Sequence, residues 1–420
     1  MNRSSTPRGY RPSTGAYGGG TESSRLPSPG VTVSDPSPSP LLSLGVLGTS
    51  AKENEHRLPL HPEHLAGLDA DLRARITLEH GYGARFGGSD DELAGVVAGL
   101  ASREEILAGS DVVLLPKPRV ADLESLGRGA TLWGWPHCVQ DPRLTQVAID
   151  RGQTLIAFEA MNHWTGDGHV GVHVFHKNNE LAGYCSVIQA LQLTGRTGSY
   201  GRPLRAVVIG FGATARGAVT ALNALGVHDV SVLTSRGVAA VGSPIHSVRI
   251  LHIDHEEHGR PSHVITDAGR VPMAAFLAER DVVVNCTFQD TSAPLTYLAT
   301  ADAGLFRPRS LVVDVSCDEG MGFEWATPTT FDSPMFAVGN LDYYAVDHSP
   351  SYLWESATWE NSLALIPFLR RVLEGPAAWE ADETLRRAIE VRDGRVVNPA
   401  ILTFQGREAA PPHRVVDLVS

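Results

Sequence analysis

Residues 204–236 read LRAVVIGFGATARGAVTALNALGVHDVSVLTSR, and this stretch decides the fold of the chain. The apolar run Ala206–Ile209 predicts a strand that ends on a glycine turn, and a helical apolar pattern follows at once. Glycine lets the backbone approach a pyrophosphate, whose charge then meets free N–H groups at the start of the helix. The stretch therefore predicts a dinucleotide-binding βαβ unit, with contacts from Gly210, Gly212, Ala213, Thr214 and Ala215.

The second strand of this unit ends on Thr234-Ser235-Arg236, where an NAD-binding unit would carry an acidic residue. A carboxylate there would repel a 2′-phosphate, whereas the Ser235 hydroxyl and the Arg236 guanidinium can bind one. The alternative is a surface loop that happens to contain arginine. We expect NADP(H) to be favoured over NAD(H) as cofactor.

The composition indicates two ordinary domains and no nucleic-acid or membrane partner. The 420 residues are 42% hydrophobic and 20% charged, which is enough for two cores. A formal net charge of −12 and the lack of a clustered basic face argue against nucleic acid. No apolar run approaches the roughly 18 residues that are needed to cross a bilayer.

The cysteines and the N-terminal segment indicate a cytoplasmic protein. The four cysteines are widely spaced without a CxxC pair, which is typical of reduced thiols. Residues 1–40 consist mainly of Ser, Pro, Gly and Thr, and they lack the apolar stretch of a secretory signal. We expect a disordered tail at residues 1–40, because so few apolar residues cannot offset the entropy of ordering.

From residue 41 onward, β-like runs alternate with helical stretches, which predicts an α/β fold with parallel sheets covered on both faces. The strands predicted before the nucleotide-binding unit are 41–47, 75–78, 112–115, 131–135 and 154–158. The helices predicted among them include 91–100, 103–108 and 142–151.

The nucleotide-binding unit lies mid-chain, so we predict two doubly wound, Rossmann-like domains, one inserted in the other. Asn178–Gly195, with an asparagine cap, predicts a bridging helix, and a second long helix at 352–373 returns the chain. Residues 41–178 and 347–420 would form the substrate domain, and residues 179–346 the dinucleotide-binding domain. Substrates bind in clefts between such domains, at the carboxyl ends of parallel strands.

Three basic residues follow strands or occupy loops at that edge: Arg57 in AKENEHR, Lys117 in LLPKP and His137 in WGWPH. A guanidinium can grip a carboxylate, a nearby lysine can add charge or exchange a proton, and histidine can titrate near neutral pH. Taken singly, Arg57 fits a surface ion pair better, Lys117 a solvated loop lysine and His137 a satisfied polar residue. Their combination favours a catalytic cleft.

Several segments in one order make a more specific pattern: KENEHR, LLPKP, WGWPHC, KNNELAGYCSVIQAL, VVIGFGATARG, VVDVSCDEGMGFE and YYAVDHSPSYLWESATWENS. This pattern resembles the superfamily of alanine dehydrogenase and lysine-forming saccharopine dehydrogenase. Within it, the likeness is greatest to the carboxyethylornithine synthases. It covers roughly Leu42 to Leu373.

The resemblance implies roles for individual residues. In alanine dehydrogenases the matching arginine and lysine hold the pyruvate carboxylate and the matching histidine is the acid/base, which assigns these roles to Arg57, Lys117 and His137. Asp318 of VSCDEG matches an aspartate of the catalytic cleft, with Asp314 as the alternative carboxylate.

Two departures from the family pattern bear on the substrate. Alanine dehydrogenases usually keep an acidic residue where Thr234-Ser235-Arg236 stands, which favours an opine-forming, NADPH-dependent branch. The turn 347–350 (DHSP) also replaces an Asn-containing turn of the relatives. Glu53 and Glu55 could bind the α-amino group of a diamino acid, although solvated surface carboxylates remain the alternative.

The resemblance implies reductive condensation of a 2-keto acid with an amine, here pyruvate with the side-chain amine of ornithine or lysine. The alternatives are alanine formation from ammonia, a saccharopine-type reaction with 2-oxoglutarate, and a dinucleotide-binding regulator without activity. We expect small-molecule substrates and a homo-oligomer.

One histidine cluster could suggest a metal: His163, His169, His173 and His176 in HWTGDGHVGVHVFHK. Their spacing matches no standard zinc frame, and His173 and His176 need not share a face. We expect exposed or cleft-lining histidines and no metal.

Overall fold

The computed structural model describes residues 40–235, 248–254, 262–287, 289 and 294–416. The predicted tail, apart from Pro40, and Arg236 therefore lie outside the described residues. Within the described ranges, no helix is both long and apolar enough to span a membrane.

The strands and helices alternate along the chain, as the apolar pattern predicts. In chain order the strands are β1 (Leu44–Val46), β2 (Ile76–Glu79), β3 (Gly99–Ala101), β4 (Val112–Leu114), β5 (Thr131–Gly134), β6 (Thr154–Ala157), β7 (Asn162–Trp164), β8 (Val170–His173), β9 (Arg205–Ile209), β10 (Asp229–Thr234), β11 (Arg249–Asp254), β12 (His263–Thr266), β13 (Gly269–Pro272), β14 (Val282–Asn285), β15 (Thr296–Leu298), β16 (Ser310–Asp314), β17 (Gly322–Phe323), β18 (Met335–Val338), β19 (Leu341–Tyr344), β20 (Ile389–Arg392) and β21 (Arg395–Val396). The α-helices are α1 (Pro62–Leu65), α2 (Ala70–Arg73), α3 (Asp90–Ala94), α4 (Arg103–Gly109), α5 (Val120–Ser125), α6 (Pro142–Arg151), α7 (His176–Leu193), α8 (Ala213–Ala224), α9 (Met273–Ala278), α10 (Trp354–Leu373), α11 (Pro376–Ala381), α12 (Glu383–Ala388) and α13 (Pro399–Gln405).

The first sheet has the strand order β21-β20-β6-β5-β4-β1-β2-β3. Its six strands from β1 to β6 are parallel, and β20 joins antiparallel to β6. Strand β1 lies between β2 and β4, so the strand order reverses there and leaves a crevice at the carboxyl ends. Separate apolar clusters cover its two faces.

The second sheet has the order β13-β12-β11-β10-β9-β14-β16-β19-β18. The six central strands β11-β10-β9-β14-β16-β19 are parallel. Strands β12 and β13 at one edge and β18 at the other pair antiparallel with their neighbours. The order reverses between β9 and β14, directly beside the glycine turn. Apolar clusters again cover both faces, which confirms the predicted doubly wound α/β fold with two Rossmann-like sheets.

The strands of the first sheet come from both ends of the chain, and those of the second sheet from its middle. The chain leaves the first sheet through α7 and returns through α10, whose apolar side packs in the core of the first sheet. This connectivity is the predicted insertion. The exact domain limits at residues 178 and 346 stay a prediction.

Three local predictions were wrong. The helix predicted at 91–100 ends at Ala94, because Gly95 and Gly99 follow and residues 99–101 pair with β2 instead. The bridging helix begins at His176, with Phe175 rather than an asparagine at its N-cap. The pattern also missed the hairpin of β7 and β8, which contains the histidine cluster.

Helices α7 and α8 touch through two glycines. A Cβ added to Gly183 would lie 2.0 Å from the Thr214 carbonyl oxygen, and one added to Gly217 would lie 1.7 Å from the Glu180 carbonyl oxygen. No side chain fits between these backbones. The glycines therefore set the distance between the bridging helix and the nucleotide-binding helix.

We predict that Gly217→Ala lowers the free energy of unfolding by about 1–3 kcal/mol, because the added methyl group forces the helices apart. Urea denaturation followed by circular dichroism measures the change. Gly109→Ala is the control, since a Cβ there meets no atom within 4 Å. Equal stability of the two variants would contradict the packing argument.

Candidate active site

Two basic side chains meet at the carboxyl edge of the first sheet. Lys117 follows β4 between two prolines, and His137 follows the neighbouring parallel strand β5. Because parallel neighbours end side by side, the two side chains lie together, with Lys117 Nζ 2.9 Å from His137 Nε2. The structure thus joins two of the three basic residues that the sequence singled out.

Glu159 holds His137 in an unusual backbone conformation. His137 has φ of 49°, in the left-handed region that costs energy for a non-glycine residue. Its backbone N–H donates to Glu159 Oε1 over 2.7 Å, and the same oxygen lies 3.7 Å from His137 Nδ1. Since Nε2 accepts from the Lys117 ammonium, we assign the hydrogen of the neutral ring to Nδ1, facing Glu159.

The Lys117–His137 pair carries one positive charge. The ammonium of Lys117, followed by burial, lowers the pKa of His137 to about 3. Burial lowers the pKa of Lys117, and the nearby Asp347 carboxylate offsets part of that effect. If Lys117 released its proton, the main cause of the low pKa of His137 would vanish. The two nitrogens therefore titrate as a coupled pair and can pass a proton between them.

Trp135 places Arg57 next to this pair. The Trp135 ring centroid is 5.3 Å from Arg57 Cζ and 5.6 Å from Lys117 Nζ, so both cations lie over one aromatic ring. All three predicted basic residues therefore border one cleft.

The charge of Arg57 is already balanced. Its side chain is buried, with Nε donating to Glu55 Oε1 over 2.7 Å, Nη2 donating to Glu55 Oε2, and Nη1 donating to Asn178 Oδ1 over 3.0 Å. Burial opposes ionisation of Glu55, but the Arg57 guanidinium outweighs it and lowers the pKa of that carboxyl. Glu55 is thus not available to a substrate amine, contrary to one expectation, because it is the counterion of Arg57.

The two candidate aspartates, Asp314 at the end of β16 and Asp318 in the loop that follows, have different surroundings. Asp314 is buried, and its carboxylate accepts hydrogen bonds from Asn285 Nδ2, Tyr343 Oη and the Cys317 N–H over 3.0, 2.8 and 3.1 Å. Asp318 lies partly exposed in the loop that follows β16. Burial and the charge of Asp347 raise the pKa of Asp318. The placement favours Asp318 over Asp314 as the carboxylate that faces the cleft.

Asp347 lies three residues after β19 and next to Val346, which forms an isolated bridge with Thr329. It accepts a 2.8 Å ion pair from Lys52 Nζ, in the loop that leads to Arg57. Burial opposes its ionisation, but the His348 hydrogen bond and the charges of Lys117 and Lys52 outweigh burial and keep the pKa of Asp347 well below its ordinary value. This carboxylate is therefore ionised across the working pH range.

The glycine turn can hold a dinucleotide. Gly210 has φ of 107°, and a Cβ there would lie 2.9 Å from the Cys286 carbonyl oxygen. A Cβ on Gly212 would meet no atom within 4 Å, and no side chain caps the N-terminus of α8. The turn thus presents bare backbone and helix N–H groups at the strand-order reversal, as a pyrophosphate requires. Residues 213–215 form the first turn of α8, with Ala215 buried against the sheet.

The end of β10 is only partly described. Thr234 is buried and Ser235 is exposed, and the predicted contact of Ser235 with the cofactor stays a prediction. Arg236 lies outside the described residues, so its predicted contact with a 2′-phosphate stays a prediction.

The four clustered histidines do not converge. His163 and His169 are exposed in the β7–β8 hairpin, while His173 Nε2 lies 3.2 Å from the Glu159 carbonyl oxygen and His176 Nδ1 3.2 Å from the His173 carbonyl oxygen. Among the described residues no group of three His, Cys, Asp or Glu side chains is arranged to hold a metal.

Sequence reasoning missed Glu159 and Lys52 as cleft residues, and it noted Asp347 only as part of the turn 347–350. Glu159 lies two residues after β6, which is the rule that found Lys117 and His137. Lys52 had a different signal: only three of the 35 lysines and arginines in the chain are lysines, and two of these three lie in the cleft.

We predict that Lys117→Met raises the pKa of His137 toward the ordinary value for histidine, because it removes the larger cause of the depression. Nuclear magnetic resonance titration of the His137 ring, assigned with His137→Gln, measures the shift. Lys177→Met, which alters the third lysine, is the control. An unchanged pKa in Lys117→Met would show that the ammonium does not face the ring.

Comparison with known proteins places this geometry in a family. The N-terminal domain model of the alanine dehydrogenase/PNT family matches residues 48–182, and the C-terminal domain model matches residues 189–399. The alanine dehydrogenase of Mycobacterium tuberculosis (strain H37Rv) is 24% identical over 382 residues, covering 88% of this chain and 98% of the relative. The N(5)-(carboxyethyl)ornithine synthase of Clostridium botulinum is 22% identical over 321 residues, covering 73% and 87%.

Solved structures show the same fold. An L-alanine dehydrogenase superposes with a TM-score of 0.70 at 19% identity, covering 86% of this chain and 99% of the other. A transhydrogenase from Sinorhizobium meliloti superposes with a TM-score of 0.64 at 20% identity, covering 85% and 99%. Because the two domain models together match most of its residues, this chain belongs to the alanine dehydrogenase/PNT family and is an NAD(P)-dependent oxidoreductase that acts on amino donors.

Proposed function

We propose that this enzyme joins a 2-keto acid, pyruvate in the first instance, to the side-chain amine of ornithine or lysine and reduces the product with NADPH. The observation that carries the proposal is the Lys117–His137 pair, 2.9 Å apart at the carboxyl edge of the first sheet. Condensation of an amine with a ketone requires that the nitrogen lose a proton and the keto oxygen gain protons. A coupled acid–base pair beside the keto carbon can carry out both transfers.

The keto acid would bind between Lys117 and Arg57. Lys117 carries the unbalanced charge of the cleft, so it would attract the carboxylate and polarise the keto oxygen. Arg57 would orient the carboxylate through the N–H groups that Glu55 and Asn178 leave free. Because Glu55 neutralises its charge, Arg57 would orient the carboxylate of the keto acid, and Lys117 would supply most of the electrostatic attraction.

His137 would carry the protons. As the neutral amine attacks the keto carbon, Lys117 gives a proton to the keto oxygen and His137 accepts the proton that the nitrogen loses, which leaves the neutral carbinolamine. His137 then returns its proton to the carbinolamine hydroxyl, which leaves as water. Asp318 would balance the positive charge of the resulting iminium ion. The nicotinamide supplies the hydride when it is bound.

Residues Gly210, Gly212, Ala213, Thr214 and Ala215 would hold the pyrophosphate through backbone groups, and Ser235 and Arg236 would bind the 2′-phosphate. The absence of an acidic residue at this position supports NADPH. The opine branch is further supported by the Clostridium botulinum relative.

The second candidate is alanine formation from pyruvate and ammonia. It is favoured by the Mycobacterium tuberculosis alanine dehydrogenase, which matches over 88% of this chain. The two reactions share every step at the keto carbon and differ in the amine alone.

We also propose that the enzyme is cytoplasmic and homo-oligomeric. Cys138, Cys185, Cys286 and Cys317 are all free thiols, as is usual in a reducing compartment. Light scattering of the purified protein tests the oligomeric state.

We predict that NADPH oxidation in a grid of pyruvate, 2-oxoglutarate and glyoxylate against ammonia, ornithine and lysine is fastest with pyruvate and a diamino acid. In the productive pair, His137→Gln lowers kcat by roughly 10²- to 10⁴-fold, the usual contribution of general acid–base catalysis, with NADPH affinity unchanged. His169→Gln, an exposed histidine, is the control. Turnover with ammonia alone would refute the opine reaction.

The cofactor preference has its own test. We predict that Arg236→Gln raises the KM for NADPH by about 10-fold or more, since it removes a charged hydrogen bond, and leaves the KM for NADH unchanged. Arg371→Gln, which removes an exposed arginine of α10, is the control. If the wild-type enzyme used NADH better than NADPH, the assignment of Arg236 would be wrong.

A further inference from the structure

The cleft contains a second ion pair, for which the proposed chemistry has no role. Lys52 Nζ lies 2.8 Å from Asp347 Oδ2, and their side chains are 32% and 41% exposed. The two residues lie on loops 295 positions apart in sequence, which meet across the cleft. Both side chains are partly exposed, so a ligand in the cleft can reach them.

Hydrogen bonds hold the loops that carry the two charges. Asp347 Oδ2 lies 3.3 Å from His348 Nδ1, and His348 Nε2 lies 2.7 Å from the Glu53 carbonyl oxygen. On the other side, the Lys52 N–H donates to Ser50 Oγ over 3.1 Å, and Ser50 Oγ donates to the Lys117 carbonyl oxygen over 3.0 Å. A cation and an anion are thus presented side by side on an organised frame.

The remaining cleft charges are committed elsewhere. Arg57 and Glu55 neutralise each other with side chains that are 2% and 1% exposed. Lys117 faces His137. Of the charged groups described above, Lys52 and Asp347 are therefore the pair with opposite charges that a ligand can reach and separate.

We propose that Lys52 and Asp347 form the receptor for the zwitterionic end of an α-amino acid, whose other amine reacts at Lys117 and His137. Lys52 binds the α-carboxylate and Asp347 binds the α-ammonium group. Two intermolecular ion pairs then replace one intramolecular pair. Ammonia has neither group, so this receptor selects an amino acid as the amine and rests on the proposed function.

The position of Asp347 agrees with this role. Its charge acts on Lys117 and on His137, so the receptor lies within electrostatic range of the reacting centre. An amino acid bound there can extend its side chain toward the Lys117–His137 pair.

Three amines dissect the receptor without changing the protein. Ornithine carries both zwitterion charges, 1,4-diaminobutane lacks the carboxylate, and 5-aminopentanoate lacks the α-ammonium group. We expect the wild-type enzyme to have a lower KM for ornithine than for either analogue, with the KM for pyruvate constant throughout.

The variants Lys52→Gln and Asp347→Asn should give a crossed pattern. Lys52→Gln raises the KM for ornithine and 5-aminopentanoate by about 10- to 100-fold, the usual effect of losing a charged hydrogen bond, and leaves 1,4-diaminobutane unaffected. Asp347→Asn raises the KM for ornithine and 1,4-diaminobutane and leaves 5-aminopentanoate unaffected. Lys177→Gln, which breaks a surface pair of the same 2.8 Å length, should change none of them.

A structural role for the pair would lower kcat or raise KM equally for all three amines, and that result would overturn the proposal. Equal KM values for the three amines in the wild-type enzyme would also overturn it. Absence of turnover with every amine would refute the proposed function instead. Calorimetric titration of the three amines into the wild-type protein and the two variants then decides. The same crossed loss of affinity supports the receptor, and no binding of ornithine to the wild-type protein overturns it.

Discussion

The contact between α7 and α8 is the constraint on which the rest of the structure depends. Gly183 and Gly217 let the two helix backbones touch, and this fixes the second sheet relative to the bridging helix. Asn178, in the first turn of the same helix, accepts a hydrogen bond from Arg57. One rigid rod thus connects the cofactor turn to the cleft, and hydride transfer depends on the distance between them.

The positive charge that a substrate meets in the cleft depends on which cations are paired with carboxylates, not on the number of cations. Two of its cations are matched by carboxylates, one pair buried and one partly exposed. Lys117 is left facing a neutral imidazole, so its charge is the one that a keto acid meets. Glu159, whose pKa burial raises to about 7, adds a carboxyl group that is only partly ionised near neutral pH. The arrangement concentrates the attraction on one side chain.

The fold was largely predictable because apolar periodicity and glycine placement are local signals. Lys117 and His137 were found by their positions after strands, which the parallel topology brings to one edge, whereas Asp318 was found by its match to the family motif. The role of Glu55 was not predictable, because the sequence does not show that its side chain points toward Arg57, two residues later, rather than into the cleft. The pairing of Lys52 with Asp347 joins loops 295 residues apart, and no local pattern reports such a contact. The end of the helix predicted at 91–100 was wrong, because residues 99–101 pair with β2 although the apolar pattern is helical there.

The scarcity of lysine has a practical consequence for studying this protein. Primary amines react readily with acylating and aldehyde reagents, whereas guanidinium groups do not under the same conditions. With only three lysines in 420 residues, and two of them lining the cleft, the side-chain amines that such reagents can modify are concentrated at the site of chemistry. In most proteins such a reagent modifies lysines over the whole surface. In this chain its reaction with Lys52 and Lys117 reports whether a ligand occupies the cleft.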